Sequence, residues 1–137
     1  RERLVLALPA DHALTHLEQV PVSNLDGLHL IGFSPGQAPY SYELCQRLFH
    51  AAQVAPHVVQ ASILPTMLAL VEAGMGAALV PASAQATWTG ALHYRPLTGT
   101  EENITTLYAV RRQDMRNPAA EKFIGLAGMP GGAPREP

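Results

Sequence analysis

Apolar residues run in short blocks along this chain, and a proline or glycine closes most of them. Residues 3–8 (Arg-Leu-Val-Leu-Ala-Leu) form one block, stopped by Pro9, and predict a strand. Residues 9–27 read as a loop punctuated by Pro9, Pro21, Asn24 and Asp26-Gly27, before a second strand over 28–33. A turn-rich stretch, 34–39, leads into a helix over 41–52, with Ser41 as N-cap and Glu43 in the first turn. Leu44, Cys45, Leu48, Phe49 and Ala52 make its apolar stripe. Pro56 precedes a short strand from about 57 to 60. Ser62 then caps a nearly all-apolar, buried helix whose first turn tolerates Pro65. Gly74 stops that helix, and Ala77–Val80 is a strand stopped by Pro81.

Residues 92–97 and 104–111 read as two more strands. A last helix starts near Asn117-Pro118 and presents Ala120, Phe123, Ile124 and Ala127 on one face. The tail, 129–137, is rich in proline and glycine and is expected to fray. Strands alternate with helices between 28 and 80, which predicts two right-handed β-α-β units and a parallel open sheet. Ligands of such sheets bind outside the carboxyl ends of the strands. Here those ends feed the 34–39 loop and the Ala61-Ser62 turn, so two helix N-termini with free N–H groups converge on a plausible anion site.

Composition narrows the class. The chain has 137 residues, 47% hydrophobic and 15% charged, enough for a real core in one domain or two small subdomains. The formal charge is −2 and the sole basic doublet is Arg111-Arg112, which argues against a nucleic-acid surface on this chain. Cys45 is the single cysteine, so no internal disulfide forms; on an apolar helical face it reads as a buried, inert thiol. No apolar run reaches the ~20 residues of a membrane span. The opening in mid-strand, without methionine, suggests a piece of a longer protein.

Candidate chemistry is sparse. His12 and His16 have the spacing of a zinc pair, but no glutamate lies between them and they sit in a proline loop. His29, His50, His57 and His93 are scattered. Ser34 and Ser62 lack the Gly-x-Ser-x-Gly elbow of a nucleophile and fit capping or ligand contact better. Gly74-x-Gly76 follows a helix and precedes a strand, the reverse of a dinucleotide fingerprint. Asp11, Asp26 and Glu72 form no evident acid/base pair. Tyr40, at the mouth of the first helix, either lines a pocket or packs on the loop prolines. Tyr42 suits core or interface, and Tyr108 either faces a pocket or enters the core.

In order along the chain, several segments resemble LysR-type transcriptional regulators in their effector-binding region. Residues 6–14 (Leu-Ala-Leu-Pro-Ala-Asp-His-Ala-Leu) resemble the family's crossing segment, with Ala13 in place of the usual proline. Residues 22–27 resemble the stretch before the second subdomain's first strand. Residues 70–81 (Leu-Val-Glu-Ala-Gly-Met-Gly-Ala-Ala-Leu-Val-Pro) resemble the family's most recognisable run, and 95–97 and 108–112 its returning strands. The spacing within 30–49 is most like that of members sensing aromatic-pathway acids.

The resemblance implies a periplasmic-binding-protein-like (type II) α/β effector domain over 1–128, its second subdomain complete and its first partial. Subdomain II would be 14–92, the crossing strands 3–9 and 93–97, part of subdomain I 104–128, and 129–137 a flexible tail. It implies a cleft lined by Ser34, Pro39, Tyr40, Ser41, Ser62, Ile63 and Thr106 or Tyr108, binding a small organic anion. Some members carry an arginine where this chain has Ser62, so contact there would be by hydrogen bond rather than charge pair. The implied whole is a cytoplasmic bacterial regulator, a dimer or tetramer, not an enzyme, without metal or other cofactor and without membrane contact. DNA would be bound only through an N-terminal helix-turn-helix that this chain lacks, and the 41–52 helix is the candidate dimer surface. The rivals are a transporter's solute-binding protein on the same fold and, with less support, a small α/β enzyme.

Overall fold

The computed structural model describes residues 1–101, 104–106 and 117–126. Strand β1 (Glu2–Pro9) is the spine of the main sheet, and its apolar run is buried from Leu4 to Pro9. A strand covered on both faces reads as a continuous apolar block rather than an alternating one. Strands β5 (Ala78–Pro81) and β6 (Leu92–Thr98) flank β1, both antiparallel, with Val5 opposite Val80 on one side and Pro96 on the other. The short β2 (Val20–Pro21) runs parallel to β6, and β7 (Ile104–Thr105) pairs with Glu2 and Arg3 at the start of β1.

A second, parallel pair consists of β3 (His29–Phe33) and β4 (His57–Ser62), with a register shift after Leu30. Helix α1 (Pro39–Ala52) connects them, and α2 (Leu64–Glu72) leads from β4 to β5. Right-handed crossovers would set the two helices on opposite faces of β3. Leu44, Cys45 and Leu48 of α1 and Met67, Leu68 and Val71 of α2 are buried in one core with Leu30, Ile31 and Leu79. The expected β-α-β order is present, but the sheet is mixed rather than parallel: β1 runs antiparallel to both β5 and β6, a pairing between distant segments that local patterning does not encode.

The parallel pair joins the main sheet at one place. The Ile31 N–H donates to the Ala77 carbonyl at 2.8 Å and the Ala77 N–H to the His29 carbonyl at 2.9 Å. Gly76, just before this bridge, has φ +155°, and a Cβ there would lie 2.8 Å from the His29 carbonyl oxygen. Only glycine permits that approach. Gly74 ends α2 with φ +77°: its N–H donates to the Val71 carbonyl while the Met75 N–H reaches Leu70, the paired bonds of a Schellman cap.

Both helices begin elsewhere than their serines suggested. Helix α1 starts at Pro39 with Ala38 as N-cap, so Ser41 lies inside the first turn and Glu43 beyond it. Proline's fixed φ suits the first helical position better than a serine two residues on. Ile63, not Ser62, is the N-cap of α2, because β4 extends through Ser62 and Pro65 occupies the helix's first turn. Helix α2 is also buried on one side only, with Ala69 and Glu72 exposed. Within 9–27, short 3-10 turns at Ala13–His16 and Val22–Leu25 replace plain loop. The His12 Nδ1 accepts the Leu14 N–H, capping the first turn, and the Arg95 guanidinium donates to the Leu17, Thr15 and Tyr94 carbonyls at 2.6, 2.7 and 3.0 Å.

After β5 comes the short α3 (Ala84–Thr87). Residues 107–137 form a second compact unit, of which α4 (Pro118–Leu126) is described. Asn117 caps α4 through its Oδ1, which accepts the Ala119 N–H at 3.0 Å, and Phe123 is exposed. The expected strand over 104–111 is seen as β7 (Ile104–Thr105), with Thr106 described but outside the strand; 107–111, Ala127 and the tail lie outside the described residues.

The junction is open to a direct test. Gly76→Ala should cost about 2–4 kcal/mol, combining a disfavoured φ with the Cβ overlap. Gly74→Ala, with open space around the added methyl, should cost only about 1 kcal/mol. Urea denaturation of both variants checks the order, and equal losses would refute the steric part.

Candidate ligand site at the carboxyl ends of the parallel strands

Strands β3 and β4 run side by side and stop level, at Phe33 and Ser62. The loops that leave them are tied at once, since the Ser34 N–H donates to the Ser62 carbonyl at 2.9 Å. The Ser34 carbonyl then accepts the N–H groups of Ala38 at 2.8 Å and Gln37 at 3.3 Å, folding the loop back to present Pro39 as the first residue of α1. The first intrahelical bond runs from the Tyr42 N–H to the Ala38 carbonyl, leaving the Tyr40 and Ser41 N–H groups without an intrahelical acceptor. In α2 the first such bond is Met67 to Ile63, which leaves the Leu64 and Thr66 N–H groups, Pro65 having none. Neither helix has an acidic residue in its first turn or a side-chain cap at its start. Both positive dipole ends are therefore uncompensated within their own helices, an arrangement that favours a small anion.

Ser34 and Ser62 are half-buried and meet through their backbones. Ile63 follows directly and is exposed, while Pro39, Tyr40 and Ser41 share the first turn of α1. Among the described residues the Ser34, Ser41 and Ser62 hydroxyls have no protein partner. Tyr40 and Thr106 are brought together: the Thr106 N–H donates to the Tyr40 hydroxyl oxygen at 3.1 Å. Tyr40 is thus neither packed away on the loop prolines nor unattached. That hydrogen bond draws its phenol below the ordinary tyrosine range; burial opposes the shift, and the Thr105 side chain, the Arg47 charge and the Thr106 side chain add to it. Tyr108 lies outside the described residues.

Arg47 went unnoticed in the sequence. It stands seven positions after Tyr40, two turns along the same helical face, and that spacing was the available signal. Tyr42 is half-buried against the core and, with Phe33, Cys45, Phe49 and Val58, lines an apolar cavity of about 70 Å³ under α1. Burial pushes the Cys45 thiol up to about 12, so it holds its proton at neutral pH and is no nucleophile. Among the described residues no group of three or more His, Cys, Asp or Glu is placed to hold a metal, and no helix is long and apolar enough to cross a membrane. The side chains collected here can bind and orient an anion; they assemble no acid/base pair.

Tied loops, paired helix starts and a mixed sheet define a ligand-binding α/β domain of the periplasmic-binding-protein-like type. The LysR substrate binding domain profile matches residues 1–128, and the chain belongs to that family. It is 32% identical over 127 residues to the Hca operon transcriptional activator HcaR of Escherichia coli (strain K12), covering 91% of this chain and 42% of that protein. It is 37% identical over 93 residues to the HTH-type transcriptional regulator TtuA of Agrobacterium vitis, covering 67% of this chain and 29% of that protein. The chain thus spans less than half the length of these curated relatives. Among solved structures, the BenM effector binding domain with its effector benzoate aligns with TM-score 0.63 and 28% identity, over 74% of this chain and 47% of that one. The LysR family transcriptional regulator CbnR aligns with TM-score 0.65 and 25% identity, over 73% and 35%.

Cys45 supplies a test of the packing behind the site. A pKa near 12 instead of 9.0 lowers its thiolate fraction roughly a thousandfold. At pH 8, Ellman's reagent should label it only after unfolding; native labelling at the denatured rate would contradict the burial.

Proposed function

We propose that this chain is the ligand-sensing part of a bacterial transcriptional regulator and that it binds a small organic acid at the carboxyl ends of β3 and β4. The observation that carries this reading is the Ser34–Ser62 tie, which sets two uncompensated helix N-termini side by side. Ser34, Pro39, Tyr40, Ser41, Ser62, Ile63 and Thr106 form one wall of the cleft. Residues 14–92 serve as the second subdomain, 3–9 and 93–97 as crossing strands and 104–128 as part of the first subdomain. Differential affinity for the closed cleft shifts the balance of subdomain poses.

The link to transcription rests on family membership and on the matched curated relatives, which are transcriptional regulators. They lend no support to the transport or enzyme rivals. BenM's effector, benzoate, makes an aromatic carboxylate the first ligand to try. In this reading the intact protein is a cytoplasmic homo-oligomer that contacts DNA through a separate helix-turn-helix and works without metal, other cofactor, membrane or turnover. The outer face of α1 is the proposed subunit contact; Val58 and Val59 on β4, 48% and 41% exposed, are further apolar residues left uncovered.

Thermal melting of the native full-length protein against benzoate and a panel of small carboxylates tests the ligand. A ligand at a hundredfold excess over its Kd adds about 2.7 kcal/mol, which raises the melting temperature by several degrees. A panel in which no carboxylate moves the transition or binds by calorimetry would overturn the reading.

A further inference from the structure

Tyr40 stands on the proposed wall of the ligand site, and its hydroxyl has a backbone partner on a distant strand end. Tyr40 is the second residue of α1, at the helix end that bears the free N–H groups, and Thr106 directly follows β7. The side chain is 46% exposed, yet its oxygen is fixed by the Thr106 N–H at 3.1 Å. The ring therefore links the start of α1 to the residue that follows β7.

A backbone N–H is a single donor, so this one serves either the phenol or a ligand oxygen. The phenol is a weak holder: an exposed hydroxyl that leaves an amide regains its bond from water, and the net loss is small. A carboxylate is the stronger acceptor for the same N–H, because a charged acceptor forms the tighter bond. It also meets a favourable field, since the Arg47 charge acts at the Tyr40 oxygen and the first turn of α1 contributes the Tyr40 and Ser41 amides.

We propose that Tyr40 is a competitive latch: its phenol oxygen occupies the Thr106 amide in the empty cleft, and a carboxylate oxygen of the effector displaces it. This deepens the ligand-sensing reading and rests on it. The latch makes the unliganded cleft self-satisfied and sets a threshold, because only a ligand whose oxygen competes for that amide releases α1 from the returning strand. It also fixes the sign of a substitution. An ordinary ligand contact loses affinity when its hydroxyl is removed; a latch that competes with the ligand gains it.

The test uses Tyr40→Phe in the native full-length protein, a change at an exposed hydroxyl that leaves the core intact. Without ligand, hydrogen exchange of the Thr106 amide, followed by NMR, should be several-fold faster in the variant. With the tightest carboxylate of the panel, benzoate being the first tried, the variant should bind about fivefold more tightly, the equivalent of one net hydrogen bond, and ligand should restore Thr106 protection. Unchanged exchange, or affinity that is equal or weaker in the variant while the wild type binds, overturns the latch alone. Failure of the wild type to bind any carboxylate overturns the ligand-sensing reading and the latch with it.

Discussion

The contact between Gly76-Ala77 and β3 is the constraint on which the remaining architecture depends. Two backbone hydrogen bonds there hold the β3–β4 pair against the chain that becomes β5, and β5 in turn pairs with β1. The approach is so close that a single methyl at Gly76 would meet the His29 carbonyl. Through this joint, the helix packing on β3 and the strand pairing on β1 become parts of one hydrophobic core. The Schellman bonds around Gly74 aim the chain into it by turning α2 back toward β3.

The binding edge is a by-product of the same geometry. Parallel neighbours that stop in register must release their chains on the same side, and the helices that follow must start there. A carboxylate in either first turn would neutralise the dipole from within; Glu43 lies too far along α1, and the carboxylate of α2, Glu72, lies at its far end. Hydroxyls without protein partners and amides without helical acceptors are thereby left facing the edge, with Arg47 further along α1. On the proposed reading, specificity for shape would come from the opposite wall of the cleft and preference for negative charge from these helix starts.

Much of this could be read from the residues because proline and glycine mark the element ends: β1, β6, the stop at Gly74 and the start of α4 fall within a residue or two of the expected places. The misplaced helix starts share one cause. Serine signals a cap by its side chain, but Pro39 and Pro65 impose their backbone angle directly, and the serines became a first-turn residue and a strand end. The antiparallel return of β1 to β5 and β6 was not legible locally, since its register depends on partners more than seventy residues away. At the site, Ser34, Tyr40 and Ser62 were picked out by their place at strand ends and helix starts, and Pro39 and Ser41 only through the family resemblance. The bond between Tyr40 and Thr106 was not, because it joins residues whose proximity only the folded sheet creates.

The placement of β1 also bears on how the chain is made. It is the earliest of these strands to be synthesised, yet both flanking partners, β5 and β6, come after residue 77. The β3-α1-β4-α2 segment can collapse on local contacts while β1 waits, an apolar strand with two unpaired edges. Non-local pairings of this kind slow folding and prolong exposure of sticky segments. During translation, therefore, the future spine of the sheet keeps an unpaired edge until β5 and then β6 have been delivered.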